Sequence, residues 1–477
     1  MRTIFVTIGR APVMHNIMRT DFFENFLKNQ KETRIVFLTT SEKKEAYQEE
    51  IFGENILIEV IKPKVAGLTK LLDSLAANAI NTGTVTWLQY NAIDRGKSSY
   101  LQVMPKRIYS RILGSSKIYK KILRKLILIL NNYGTEIPEI YEKYKPDAVY
   151  ATSLTNFEFD IPVALEAKRR KIKLVATIRS WDNLAGHGLL RIEPDKLFLQ
   201  SNFLIEMAQK HQAFGQNVVH KEPYGLPHYD KYINPKNLLT REEFCKNLNL
   251  DPKKKIILYG AMGDFLFPNE GSLAEVFETI ANNIEDFNLQ FIFRAHPSFE
   301  SPLKKINTLR YVIGDRKATY LTDKTKSFEM KNADIEHLIN SIHHSDIILT
   351  AASTIALDGT ALNKPTICIA FDGVNKKVKK WLSVKRFFEN FTHFVYFLKT
   401  GATPLAHNQQ ELIQLIREYL NNPKKDEEKR KEAQKQFISR YRGDSGIFLA
   451  NLISENIRAL PKDRASYHQD RIESASH

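Results

Sequence analysis

Cysteine is scarce in this chain: Cys245 and Cys368 are the two present in 477 residues. Thiols so few and so far apart form neither a metal quartet nor a disulfide framework, as in proteins kept in a reducing compartment. Long apolar runs are missing as well. No segment approaches the roughly 18 apolar residues that a membrane span needs, and Leu126–Leu130 is the longest greasy patch of its region. The apolar run behind Met1 is too short for a signal peptide and reads as a first strand. These absences predict a cytoplasmic location. Several catalytic fingerprints are absent too: Gly-x-Gly-x-x-Gly after a strand, the Gly-x-x-x-x-Gly-Lys phosphate loop, the Gly-x-Ser-x-Gly elbow and His-Glu-x-x-His. Kinases, dehydrogenases of the common type, hydrolases and zinc proteases are therefore disfavoured. No Asp-x-Asp is present to carry a divalent metal, so neither a metal nor a cofactor is expected.

Acidic residues are the minority among charges, 54 against 70 basic ones, for a net charge of +16. Nucleic acid, an anionic membrane and a polyanionic substrate are all compatible with that sign. No zinc-finger, RNP-type or helix-turn-helix signature accompanies the charge, so a nucleic-acid partner is not expected. Much of the charge clusters in Lys106–Leu113 and Lys117–Leu128, inside a segment spanning about residues 105–131. Aliphatic residues recur there at three- and four-residue spacing between basic ones, as in a helix with one apolar and one cationic face. Such a helix either lies on an anionic membrane surface, attaching the protein peripherally to the inner face of the plasma membrane, or packs its apolar face on its own domain.

Alternation of strands and helices organises the rest. Strands are expected at Thr3–Ile8, Arg34–Thr39, Asn55–Ile61, Ala148–Ala151, Lys173–Thr177 and Lys196–Gln200. After a boundary between Tyr229 and Lys255 the alternation restarts, with strands at Ile256–Tyr259, Leu289–Arg294, Thr319–Thr322, Asp346–Leu349 and Thr366–Ala370. This is an α/β chain with parallel sheets covered on both faces. The expected division is a first domain over 1–235, a second over 236–445, a last helix over 446–460 and a disordered tail over 461–477.

In open parallel sheets ligands gather at the carboxyl ends of strands, so residues just past strands are the candidates. Ser353 and Thr354 open a helix after the strand ending at Leu349, where free amides and hydroxyls suit an anion. Asp358, one turn further, is placed to accept hydrogen bonds from a ribose or sugar. Arg294 and His296, in Arg294-Ala295-His296-Pro297, are candidate phosphate contacts. Gly260 and Gly263 follow the first strand of the second half and permit close backbone approach to a ligand. In the first half, His15 is a candidate base for an acceptor hydroxyl, and Asp182 either serves as a base or orients one. Arg10, Arg179, Trp181 and Asn183 are candidate acceptor contacts, Trp181 by stacking or by packing in an interface. His228, in a tight turn at the boundary, either reaches the cleft or packs.

Taken together these residues resemble a known group. Ser353-Thr354 with Asp358 and Lys364-Pro365 is similar to the donor-site motif of GT-B glycosyltransferases. Arg294–Pro297 resembles the Arg-x-His-Pro of CDP-glycerol glycerophosphotransferases and related capsule enzymes. Ser180–Leu184 and Gly225–Asp230 resemble motifs of bacterial surface-polysaccharide transferases, and the likeness runs from about Asp147 to Ile457. The resemblance implies a GT-B fold: two Rossmann-like domains facing across a cleft, the acceptor in the first and the nucleotide donor in the second. It implies that Ser353 and Thr354 bind the diphosphate, Asp358 the ribose or donor hydroxyls, and Arg294 with His296 the phosphates, without a catalytic metal. Gly359 and Asn363 depart from the usual alanine and glycine of the donor helix, and Trp181-Asp182 stands where the glycerophosphotransferases carry Trp-His-Gly. That departure turns the expectation toward transfer of a sugar from a nucleotide-activated donor to a surface glycan, lipid-linked. Glycerophosphate or polyol-phosphate transfer, nucleotide-sugar 2-epimerisation and non-catalytic nucleotide-sugar binding are the alternatives.

Overall fold

The strand-forming segments are short and mostly apolar, which suits a sheet covered on both faces. The computed structural model describes residues 1–155, 159–299, 301–316, 319–320, 328–374 and 378–458. In the first half, β1 (Arg2–Thr7), β2 (Thr33–Thr39), β3 (Ile56–Val60), β4 (Ala148–Ala151), β5 (Lys173–Ala176) and β6 (Lys196–Leu197) form one sheet. Its order is β3-β2-β1-β4-β5-β6, and every pairing is parallel. The second half contains β7 (Lys255–Gly260), β8 (Leu289–Arg294), β9 (Val312–Asp315), the antiparallel pair β10 (Thr319–Tyr320) and β11 (Phe328–Glu329), β12 (Ile347–Thr350), β13 (Thr366–Ile369) and β14 (Leu405–Ala406). Its main sheet, again parallel, runs β14-β13-β12-β7-β8-β9. Renumbered from its own first strand, the second sheet has the doubly wound order of the first. Each sheet therefore reverses direction of strand addition beside its first strand, which opens a crevice at the strand carboxyl ends.

Three strands escape the sequence reading. β9 is interrupted by Gly314, and β11 and β14 are two residues long, too short for any periodicity to register. The strand expected at Thr319–Thr322 begins as β10; its last two residues, and the tail over 461–477, lie outside the described residues. The helices Gly67–Asn78, Gly83–Asp94 and Glu136–Tyr144 fill the stretch between β3 and β4 together with the basic segment.

The final helix, Ser445–Arg458, returns to the first sheet. Leu449, Ala450, Ile453 and Ile457 share a buried cluster with Phe22, Phe26, Ile4 and Val6. Gly446 permits this approach: a Cβ there would stand 2.8 Å from the amide nitrogen of Phe22. Its own amide donates to Asp230 (2.9 Å), tying the crossing to the boundary segment.

The basic segment differs most from expectation. It forms two helices, Tyr100–Ile112 and Lys117–Leu130, broken by a tight turn at Leu113–Ser115. Lys120 and Arg124 turn inward and are buried, Lys120 Nζ donating to the carbonyl of His211 (2.8 Å) and Arg124 Nε to that of Leu190 (2.9 Å). Leu123 and Ile127 are buried beside them, while Ile118, Ile122, Leu126 and Ile129 face solvent. The expected division into one apolar and one cationic face does not hold for this helix, whose buried side carries Lys120 and Arg124 with Leu123 and Ile127. The two buried cations satisfy carbonyls of distant segments, those of His211 and Leu190.

Candidate active site

Seven post-strand and boundary segments meet in a cleft of about 890 Å³ between the two sheets. From the first half come Gly9–Pro12 with His15 and Asn16 after β1, Thr40–Lys43 after β2, and Arg179–Asp182 after β5. The second half supplies Gly260 and Ala261 at the end of β7, Arg294–Pro297 at the end of β8, and Ser353–Ile355 with Leu357 and Asp358 after β12. Leu226, His228, Tyr229 and Tyr232 line it from the boundary.

Asp358 sits at the floor, buried, with the Tyr232 hydroxyl donating to its Oδ1 (3.0 Å). Burial lifts its carboxyl to about 6, against the pull of Tyr232 and of the Arg294 charge. Arg294 is not directed at the cleft alone: its Nη1 pairs with Asp315 (2.9 Å), which also meets His337 Nε2 (2.9 Å). Despite burial, His337 and Arg294 keep Asp315 below the usual carboxylate range, so the guanidinium is held in place. His296 Nδ1 accepts from the amide of Ser298 (3.0 Å), which places its proton on Nε2. Burial and the Arg316 charge lower His296 to about 4, leaving a neutral imidazole with one N–H to offer. Ser353 and Thr354 lie at the opening turn of the helix Ile355–Ala361, Thr354 exposed and Ser353 half-buried.

Across the cleft, His15 and His228 stand 5.3 Å apart between ring centroids. Burial first, then Lys231 and Arg19, lowers His15 to about 3; burial, His15 and Lys231 hold His228 well below its usual value. Both are neutral imidazoles, and the Nδ1 of each is buried without a hydrogen-bond partner among the described residues. Arg10 and Arg179 line the same wall, the carbonyl of Arg179 being pinned by Asn16 (3.3 Å) and Gln200 (3.3 Å).

Gly263 and Asn183 stand off the cleft that the sequence suggests for them, while Gly260 lines it and Trp181 takes the second of its two expected roles. Gly263 lies outside the cleft: its amide donates to Glu270 (2.6 Å) and the Phe299 ring covers it. Gly260 borders the cleft, but its lack of a side chain serves packing, since a Cβ would stand 2.6 Å from Ile355 Cδ1. Asn183 is buried within its own loop, its Oδ1 accepting from the Ser180 amide (2.9 Å), and does not reach the cleft. Trp181 touches the cleft wall, and its ring is buried edge-on among His393, Phe394, Phe397 and Phe437, so it packs the interface. Asp182, half-buried, pairs with His187 Nε2 (3.5 Å), and His187 and His393 hold it far below the carboxylate range against the cost of desolvation.

Sequence reasoning also missed a bridge between the halves. Glu329, fully buried, accepts from Lys43 Nζ (2.6 Å), Arg19 Nη1 (3.1 Å) and the Tyr47 hydroxyl (3.2 Å). Lys43 follows β2 and was open to the post-strand rule; Arg19 and Glu329 carry no local signal. Among the described residues no group of three or more His, Cys, Asp or Glu could hold one metal ion.

Two doubly wound parallel sheets facing each other across a cleft define the GT-B fold. Solved structures agree: UDP-GlcNAc 2-epimerase from Neisseria meningitidis bound to UDP-GlcNAc superposes with a TM-score of 0.51 at 13% identity, covering 96% of this chain and 99% of that one. UDP-GlcNAc 2-epimerase from Methanocaldococcus jannaschii gives 0.50 at 15% identity, covering 95% and 99%. No curated protein matches by sequence. Residues 150–454 match the CDP-Glycerol:Poly(glycerophosphate) glycerophosphotransferase family model; the chain belongs to this family and is a transferase.

Proposed function

We propose that this transferase moves a sugar from a nucleotide-activated donor to a hydroxyl of a surface glycan, lipid-linked, at the cytoplasmic face of the membrane and without a metal. One observation carries the reading: His296, Asp358 and Ser353–Thr354 converge at the carboxyl ends of β8 and β12, opposite His15 beyond β1, on one cleft. The donor diphosphate would lie against the Ser353 and Thr354 hydroxyls and the Nε2–H of His296, with the Arg294 charge behind them. Ionised Asp358 would accept from ribose or sugar hydroxyls. His15, neutral, would take the proton of the acceptor hydroxyl as its oxygen bonds to the sugar carbon and the nucleoside diphosphate departs with the bonding electrons. The anionic donor in the cleft raises the basicity of His15, which burial otherwise suppresses. Asp182, Arg10 and Arg179 would shape the acceptor side.

The family match favours a second reading, in which a polyol phosphate is transferred. The acceptor oxygen would then bond to phosphorus and a nucleoside monophosphate would leave. A thermal-shift screen with UDP, GDP, CDP, CMP, ADP and dTDP identifies the base, because a ligand of the folded state raises stability. Turnover with the matching donors, run with and without chelator, then separates the readings. Release of nucleoside diphosphate supports sugar transfer, release of monophosphate with phosphorus carried to the acceptor supports the second reading, and turnover lost to chelator removes metal independence. Epimerisation of the donor with no acceptor present would refute both.

A further inference from the structure

A histidine that takes a proton at one ring nitrogen must carry its own proton on the other. His15 lies in the helical turn Met14–Met18 that follows β1, and it lines the cleft. Its Nδ1 is buried, so Nε2 is the nitrogen left to meet an acceptor hydroxyl, and the resident proton must sit on Nδ1. No described residue accepts from that Nδ1. A buried N–H without an acceptor bears the full cost of its desolvation, and a larger one once the ring is charged. The base therefore needs an acceptor behind it, as catalytic bases generally take from an orienting third group.

Lys231 and Arg19, whose charges act on His15, cannot supply it, because neither side chain has an acceptor. His228 can. It stands in the boundary turn Pro227–Tyr229, is 6% exposed, and its Nδ1 too is buried without a partner among the described residues. A neutral imidazole always has one nitrogen that accepts. Burial, with the His15 and Lys231 charges, keeps His228 neutral, so that nitrogen stays bare. The two ring centroids are 5.3 Å apart and the planes tilted by 48°. A ring nitrogen lies about 1.2 Å from its centroid and an N–H···N bond spans about 2.9–3.0 Å, so two imidazoles joined nitrogen to nitrogen stand roughly 5.3 Å apart. The rings already have that separation. Turning each about Cβ–Cγ, a torsion that is broad in histidine, brings the two orphaned nitrogens face to face.

We propose that His228 is the positioning residue of His15: its bare Nδ1 accepts from His15 Nδ1–H and fixes the tautomer in which His15 Nε2 turns a lone pair to the cleft. The inference rests on the reading of His15 as the base. In transfer the acceptor's proton comes to Nε2 while the Nδ1 proton stays on His15, and its bond to His228 strengthens as the ring becomes a cation. No proton crosses between the rings, and His228 keeps its own on Nε2.

Nitrogen NMR spectra of the protein labelled at histidine read the tautomers with no ligand added. In the wild type the His15 signal, assigned by its loss in His15→Gln, should report a protonated Nδ1 and a bare Nε2, and His228 the reverse. His228→Phe keeps an aromatic ring without an acceptor and should move the His15 proton to Nε2. His228→Asn, whose side-chain oxygen stands near the place of Nδ1, should leave it on Nδ1. Turnover of the donor matched to the nucleotide from the thermal screen should follow. In His228→Phe kcat should fall about ten- to a hundredfold, the range for one hydrogen bond to a charged group, with KM for the donor unchanged, and His228→Asn should restore most of it. A His15 proton on Nε2 in the wild type, or on the same nitrogen in the wild type and His228→Phe, overturns the proposal. The base reading fails separately: full turnover in His15→Gln removes His15 from the chemistry whatever its tautomer. Turnover lost in His15→Gln but intact in His228→Phe overturns the partnership alone.

Discussion

Replacing Tyr232 by phenylalanine tests the proposed role of Asp358. The ring volume is kept, and the one loss is the hydroxyl that donates to Asp358 Oδ1 at 3.0 Å. A hydrogen bond to a charged acceptor is worth about 1.5–3 kcal/mol, and each pKa unit corresponds to about 1.4 kcal/mol. Part of that bond survives with the protonated acid, so a rise of about one unit follows, from about 6 toward about 7. If ionised Asp358 accepts the donor's hydroxyls, nucleotide affinity should fall about fivefold near pH 6 and by less than about 1.2-fold near pH 8, by simple titration of that one carboxyl. Calorimetric titration of the nucleotide found in the thermal screen, across this range, reads the effect directly. Stability supplies a second readout. The folded carboxyl holds its proton more tightly than the unfolded one, so its contribution is full below about pH 4 and is lost as the pH rises through the folded value. In Tyr232→Phe that loss should extend to about pH 7. Superimposable affinity profiles for the two proteins would refute the assignment of Asp358 to the donor.

Three further outcomes are expected. Joint Ser353→Ala and Thr354→Ala should weaken nucleotide binding by about ten- to a hundredfold, as two hydrogen bonds to an anion are lost, and unchanged affinity in calorimetry removes them from the donor site. His296→Ala should lower kcat/KM by roughly a hundredfold or more, as for loss of one donor to a developing anion, with the urea midpoint nearly unchanged; surviving activity would show that no phosphate meets Nε2. Glu329→Gln should cost about 3 kcal/mol in urea unfolding by leaving buried cations without their counter-charge, Arg19 being partly compensated by Glu50 (2.7 Å); an unaltered midpoint would show that the bridge between the halves carries no stability.

Much of the architecture is legible in one dimension. A strand buried on both faces is mostly apolar, and β4 and β8 stand at the residues where such runs occur. Ligand residues in a parallel sheet must follow strands, so His15, His296, Ser353 and Asp358 could be marked before any geometry was known, and all four line one cleft. Periodicity, however, reports which residues share a helix face and not what covers that face. Lys120 and Arg124 share the buried side of Lys117–Leu130, where they donate to carbonyls 91 and 66 residues away. With that side taken, Ile118, Ile122 and Ile129 are left outside.

The same limit governs the site. Asn183 and Asp182 are neighbours in sequence and in a loop rich in polar groups, but only the folded backbone decides that one caps its own turn and the other answers to His187. Gly263 reads as a ligand glycine until Glu270 claims its amide. Glu329 carries no local sign of importance, and its meeting with Arg19 and Lys43 exists only once the two sheets face each other. The sequence by itself determined the α/β class, the parallel sheets and the post-strand residues that line the cleft, because burial and strand direction leave their mark on neighbouring residues. Which side of each helix is covered, which polar group meets which, and which apolar face remains open were decided by contacts between distant segments, and those exist only in three dimensions.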